Sequence, residues 1–208
     1  MRAVLFDVDG VVLHSLFHAD PTLRRRWDTH LLEDMGVDPA EFARFCDESF
    51  LAVIEGRKSL VTALEAFLPD IGYRGSPLDF VDYWLSRDTH VNRQLLSLIA
   101  KLRSRDGVRL YLATNQEHLR ALHLWSAVGL RHYFDDIFYA ARLGAAKPHL
   151  EFFRKVDSLL GSRFDETPLL FDDSPKVIEA AAAHGWEAVH FSDLHDCASH
   201  PWIAAQLG

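Results

Sequence analysis

Short runs of consecutive apolar residues alternate along the chain with stretches whose apolar positions recur every three to four residues. "AVLF" (3–6), "VRLYLAT" (108–114), "DIFYA" (136–140), "PLLFDD" (168–173) and "EAVHF" (187–191) read as strands. "VNRQLLSLIAKLRS" places Leu95, Leu96, Ile99 and Leu102 on one helical face, and "EHLRALHLWSAVG", "LEFFRKVDSLLG" and "KVIEAAAAHG" read as further helices. Strand–helix alternation of this kind predicts an α/β fold around a parallel sheet. The alternation lapses after the first strand. Residues 15–88 carry no strand pattern but four helical segments, "TLRRRWDTHLLEDMG", "PAEFARFCDESFLAVIEG", "SLVTALEAFL" and "PLDFVDYWLS". The expected organisation is a core built from 1–14 and 89–208, with an all-helical insertion over 15–88.

Composition narrows the partners. The 208 residues are 49% hydrophobic and 25% charged, enough for one sizeable core with an appended module. Thirty acidic residues against 22 basic ones give a formal charge of −8, which disfavours nucleic acid and anionic membrane. Two cysteines, Cys46 and Cys197, make no paired framework, and "MRAVLFDVDG" lacks a long apolar stretch. A reducing, cytoplasmic setting is expected, for a monomer or homodimer.

In an open parallel sheet, ligands bind beyond the carboxyl ends of the strands. Asp7 and Asp9 end the first strand, Thr114 and Asn115 the second, and Asp172 and Asp173 the run 168–173; Lys147 and Pro148 sit in the loop "ARLGAAKPHLEFF". Residues i and i+2 of a strand point the same way, so Asp7 and Asp9 can face one cleft. Two carboxylates that close oppose each other's ionisation, and a hard cation such as Mg²⁺ relieves this. Lys147 adds a fixed positive charge, the Thr114 hydroxyl and the Asn115 backbone amide add donors, and Gly10 lets backbone amides approach an anion. Such a site suits a phosphoryl group. Asp7 is then a candidate nucleophile and Asp9 a candidate acid/base. Starting as a proton donor requires a raised pKa at Asp9, and no feature of the sequence supplies it.

Each piece also has a purely structural reading. "DVDG" fails as a calcium loop, because Val11 and His18 occupy its fifth and twelfth positions. "TNQE" suits a helix N-cap supported by Glu117, "DDSPK" suits a cap followed by proline, and Lys147 alone would be a surface lysine. Their order and their shared placement at strand ends favour a site.

The same residues make the chain resemble the haloacid dehalogenase-like hydrolases over nearly its whole length. "DVDG", Thr114 with Asn115, Lys147 with Pro148, and "FDDSPKVIEAA" match the four family motifs in order. The resemblance implies a Rossmann-like three-layer core and a helical cap of the first type, hinged near 14–18 and 86–90. It also implies a Mg²⁺-dependent phosphatase acting on a small phosphorylated metabolite of the sugar phosphate or nucleotide class. Asp7 would be the nucleophile and Asp9 the acid/base. Asp7, the Asp9 carbonyl and Asp173 would hold the metal, supported by Asp172; Thr114, Asn115 and Lys147 would hold the phosphoryl oxygens. In the cap, the loop "EGRKS" offers Arg57 and Lys58 to the substrate.

Family dehalogenases lack the second aspartate, so Asp9 favours ester hydrolysis, whose leaving alcohol needs a proton. A phosphomutase would use the same residues and remains an alternative. A signalling or phospho-binding module is the alternative of another class, although "YLATN" offers no mid-chain aspartate of the response-regulator kind. "HDCASH" reads as a tail rather than a zinc site, having three soft ligands at irregular spacing. "RRR" (24–26) reads as a solvated helix face beside Trp27, and Phe42, Phe45, Phe50, Phe67, Phe80 and Trp84 as the cap's own core.

Overall fold

Strand β1 (Arg2–Phe6) is buried at every position, as expected of a strand covered on both faces. The computed structural model describes residues 1–16, 20–48 and 50–208. β1 lies at the centre of a five-stranded parallel sheet of order β3-β2-β1-β4-β5, with β2 (Val108–Thr114), β3 (Asp136–Tyr139), β4 (Leu169–Asp172) and β5 (Glu187–His190). Alternation divides the side chains between two layers. Val4, Phe6, Leu110, Leu112, Leu169 and Phe171 enter one apolar cluster, and Ala3, Leu5, Tyr111, Ala113 and Leu170 the other. The expected α/β architecture is present, with all five strands where the apolar runs predict them.

Between β1 and the next sheet-packing helix lie α1 (Leu31–Met35), α2 (Pro39–Glu48), α3 (Phe50–Ile54), α4 (Leu60–Phe67) and α5 (Pro77–Arg87). They enclose a third cluster that includes Leu31, Phe42, Phe45, Leu64, Phe80 and Trp84. The segment "TLRRRWDTHLLEDMG" is far less helical than its pattern predicts. Pro21–Leu23 makes a single 3₁₀ turn, and helix resumes only at Leu31. Arg24–Arg26 therefore lie on irregular chain, where Arg26 pairs with Asp28 at 2.7 Å, a spacing of two that a helix face does not bring together. Trp27 is drawn in to stack on Trp84, with ring centroids 5.2 Å apart. "PAEFARFCDESFLAVIEG" is helical over Pro39–Glu48 and Phe50–Ile54, as its pattern predicts; Ser49 lies outside the described residues, as do 17 and 18 of the expected first hinge.

The chain crosses between the two regions along paired segments. The amide of His14 donates to the His90 carbonyl at 2.8 Å, that of Asn92 donates to Val12 at 2.8 Å, and Leu13 bridges Val91 in antiparallel fashion. Asn92 then caps α6 (Arg93–Arg103) by accepting from the Leu95 amide. After β2, α7 (His118–Leu122) widens into a π-helical turn over His123–Ala127. α8 (Ala140–Leu143), which the sequence pattern does not reveal, follows β3; α9 (Leu150–Leu160) and α10 (Pro175–His184) cover the second layer. The supposed tail forms α11 (Leu194–Ala198) and α12 (Pro201–Leu207). Cys197 packs into the first layer and His200 bonds Glu187 at 3.0 Å, so both residues serve packing. No helix among the described residues is long and apolar enough to cross a membrane.

Candidate active site

Parallel register brings the ends of β1, β2 and β4 side by side. The Asp7 amide donates to the Phe171 carbonyl at 2.9 Å, which locks the residue after β1 against the end of β4. Oδ1 of Asp7 accepts from the Val8 amide at 2.7 Å and lies 3.0 Å from Lys147 Nζ. The same ammonium lies 2.5 Å from Oδ2 of Asp172, whose Oδ1 accepts from the Ser174 amide at 2.9 Å. Lys147 is buried, contrary to the surface position it would occupy by itself; a buried ammonium requires such partners. Asp7, Asp172 and Asp173 each offer an oxygen within 4.8 Å of the others.

Gly10 shapes this cluster. Its φ of +83° turns the chain back so that its amide donates to Leu13, and a Cβ there would fall 2.1 Å from Oδ2 of Asp173. The glycine that follows the paired aspartates thus makes room for a third carboxylate from the other side of the sheet edge.

The electrostatics are those of an undercompensated acidic cluster. Burial pushes the Asp7 carboxyl up to about 7; Lys147 opposes this, while Asp172, Asp9 and Asp173 add to it. Burial and the neighbouring Asp172 push Asp173 up to about 6. Lys147 goes the other way: burial would lower it, but Asp172 and Asp7 outweigh that and raise it. Three carboxylates sharing one ammonium leave room for two positive charges, and their oxygen donors suit a hard dication. The donor set fits Mg²⁺.

Asp9 is held apart from the three. Its Oδ1 accepts from Arg120 Nη2 at 2.8 Å; its Oδ2 accepts from Arg120 Nη1 at 2.9 Å and from Gln116 Nε2 at 2.6 Å. Burial raises the Asp9 carboxyl, but the Arg120 charge and the Arg120 and Gln116 hydrogen bonds outweigh it, so Asp9 stands below the usual carboxylate range. This is the reverse of what a resting proton donor requires.

Neither Arg120 nor Gln116 was singled out from the sequence. The signal is faint. "TNQEHLR" sets the two residues four apart at the start of a helix, but nothing local reveals a partner 111 positions away. The capping role of Glu117 is as expected, with its carboxylate accepting from the amides of Leu119 and Arg120.

Thr114 is buried, and its Oγ1 accepts from Gln116 Nε2 at 3.3 Å. The side-chain amide of Asn115 exchanges two hydrogen bonds with the backbone of Lys147, accepting at 2.8 Å and donating at 2.9 Å, and so positions the lysine loop. Arg57 and Lys58 are exposed on the turn after α3, with the Arg57 guanidinium paired to Glu55 at 2.8 Å. The turn itself rests on α8, since a Cβ on Gly56 would lie 2.7 Å from the Ala141 carbonyl oxygen.

Comparisons with known proteins give the family and the fold. A family model described as haloacid dehalogenase-like hydrolase matches residues 1–185. A HAD-like family hydrolase from Porphyromonas gingivalis superposes with a TM-score of 0.72 at 21% identity, over 99% of this chain and 95% of that one. A HAD-family enzyme of Bacteroides thetaiotaomicron, solved with magnesium and inorganic phosphate, superposes with a TM-score of 0.71 at 20% identity, over 91% and 93% of the two chains. L-2-haloacid dehalogenase from Xanthobacter autotrophicus, with chloropropionic acid covalently bound, gives 0.63 at 15% identity, over 100% and 84%. The comparison with curated protein sequences returns no match.

Proposed function

Since the chain belongs to the haloacid dehalogenase-like hydrolases, we propose that it is a Mg²⁺-dependent phosphatase that hydrolyses a small phosphorylated metabolite through an aspartyl phosphate. The observation that carries this reading is the cluster of Asp7, Asp172 and Asp173 around Lys147 at the carboxyl edge of the sheet. Asp7, Asp173 and the backbone carbonyl of Asp9 hold the metal, with Asp172 as a supporting carboxylate. Bound Mg²⁺ supplies the charge that neutralises phosphoryl and carboxylate oxygens together. Lys147, Thr114 and Asn115 hold the phosphoryl oxygens, Lys147 by its charge and Asn115 also by fixing the lysine loop.

A carboxylate oxygen of Asp7 attacks phosphorus, the bond from phosphorus to the ester oxygen breaks, and the departing oxygen takes a proton from Asp9, which has to gain that proton from solvent or substrate beforehand because Arg120 and Gln116 hold it ionised at rest. Asp9 then accepts a proton from water as that water attacks phosphorus, which frees phosphate and restores Asp7. The ionised Asp9 held by Arg120 corresponds to the form needed for this second half. Asp9 also separates this chain from dehalogenases, whose halide leaves without a proton.

The helices over 15–88 are the cap, which chooses the substrate of the sugar phosphate or nucleotide class and excludes water. Their separate aromatic cluster supports that assignment. Arg57 and Lys58 lie on the cap turn that rests on α8 through Gly56, and serve as its substrate contacts.

The test is phosphate release from a broad panel of phosphorylated metabolites, with Mg²⁺ and with chelator, for the wild type and Asp7→Asn. Metal-dependent release from one chemical class, lost in the variant, is expected. Release that persists in Asp7→Asn would overturn the mechanism, and no release from any compound would direct attention to the mutase alternative.

A further inference from the structure

The guanidinium of Arg120 touches two carboxylates that belong to different parts of the molecule. One edge makes the bidentate pair with Asp9. Nη2 also lies 2.9 Å from Oδ2 of Asp88, and within 3.4 Å of the Asp88 carbonyl. The Arg120 side chain is 11% exposed, against 39% for Asp9 and 23% for Asp88, so the guanidinium is sheltered while both partners still meet solvent, and the two-pronged geometry rather than burial fixes the pair. Gln116, one helical turn earlier, reaches both Asp9 Oδ2 and Arg120 Nη1, which leaves the Asp9 carboxylate little freedom to rotate.

Asp88 is the residue that ends α5, on the connection that returns from the helical region to the sheet. Two residues later that connection pairs with the outgoing one, through the His14 amide and the His90 carbonyl. Arg120 itself stands on α7, which is anchored to the sheet through β2. A single side chain on the sheet side therefore grips both the carboxylate beside the nucleophile and the hinge of the helices above it.

We infer that Arg120 is a positioning residue that sets the direction of the Asp9 carboxylate and, through Asp88, ties that direction to the placement of the helical region. The inference rests on the phosphatase reading, within which Asp9 exchanges a proton with the ester oxygen. Arg120 does not touch the reacting atoms; it acts through Asp9. Displacement of the connection at Asp88 alters the hold on the guanidinium, so that Asp9 reaches its working orientation only when the helices sit correctly over the sheet.

The experiment compares kcat/KM of the wild type, Arg120→Ala, Arg120→Lys and Asp88→Asn on two esters. One is the best alkyl phosphate from the panel, whose leaving oxygen needs a proton. The other is p-nitrophenyl phosphate, whose leaving group departs as the anion. General acid assistance contributes on the order of 100-fold or more and depends on the aim of the Asp9 carboxylate. Although Arg120→Ala also releases that carboxylate from the charge that keeps it ionised, loss of the aim is expected to dominate, with a loss of about 100-fold on the alkyl ester and less than about 5-fold on the aryl ester. Asp88→Asn is expected to lose about 10-fold on the alkyl ester alone. Mg²⁺-induced stabilisation should stay at the wild-type value in all three variants.

Equal losses on both esters, or no loss on either, overturn the inference while leaving the phosphatase reading intact. If Arg120→Ala does not fold, Arg120→Lys and Asp88→Asn carry the same comparison. A wild type that hydrolyses neither ester refutes the phosphatase reading itself, and this inference with it.

Discussion

The methyl group that Gly10 lacks would lie 2.1 Å from Oδ2 of Asp173, so a residue of the first strand's turn is small because a carboxylate from beyond β4 occupies the space. Backbone and side-chain constraints coincide there. The φ of +83° already excludes most side chains, and the Asp173 oxygen excludes even alanine. Gly10→Ala is expected to cost about 1–2 kcal/mol from the left-handed backbone alone, with a further loss as Asp173 is displaced. Thermal melts with and without Mg²⁺ check this: the metal-induced rise in Tm should shrink sharply in the variant, and an undiminished rise would separate Gly10 from the carboxylate cluster.

Asp7 and Asp173 bind protons more tightly in the folded chain than ordinary carboxylates do, with pKa values near 7 and 6 against 3.8 for the unperturbed group. Between those values the folded state holds more protons than the unfolded one, so the contribution of both groups to stability is full at low pH and lost as pH rises towards 7. Asp9, which is lowered, acts in the opposite sense and loses its contribution as pH falls. In chelator, Asp7→Asn should therefore gain in Tm relative to the wild type on going from about pH 5 to about pH 8. Saturating Mg²⁺ should reverse that order at the higher pH. A difference between the two proteins that does not change with pH would contradict the assigned burial of Asp7.

Among the described residues Lys147 is the ammonium that lies between Asp7 and Asp172, of which Asp172 is buried and Asp7 is half-buried at the sheet edge. Removing it leaves two carboxylates without a countercharge. Lys147→Met is expected to destabilise the metal-free protein by about 3–5 kcal/mol, read from urea unfolding. Addition of Asp172→Asn should recover part of that loss, since the group left uncompensated is then neutral; simple additivity of the two changes would argue against the pairing.

Arg57 is exposed and, among the described residues, pairs with Glu55, a contact worth less than about 1 kcal/mol at the surface. Arg57→Ala should leave Tm unchanged while raising KM for the best substrate of the panel. An unchanged KM would remove Arg57 from the substrate contacts and leave the turn at Gly56 as a packing element.

The sheet and the line of polar residues at its carboxyl edge can be read from the amino-acid sequence. Strands covered on both faces read as unbroken apolar runs, and the residues at or just past their ends, Asp7, Thr114 and Asp172 with Asp173, meet at one edge because parallel strands align their carboxyl ends, while Lys147 is brought there on the loop after α8 by its hydrogen bonds to Asn115. Local pattern failed where tertiary contacts outweighed it. Trp27 stacks on Trp84 instead of continuing a helix, and the HDCASH segment becomes α11 and the start of α12, with Cys197 buried. Only the folded chain decided the electrostatic state of Asp9. Its partners Arg120 and Gln116 lie far away in sequence, and a salt bridge leaves no period or spacing by which it can be read in advance. The same holds for Gly10: a glycine after the paired aspartates is visible in "DVDG", but its φ of +83° and the position of Asp173 that leaves no room for a methyl group belong to the fold, which packs β4 beside β1.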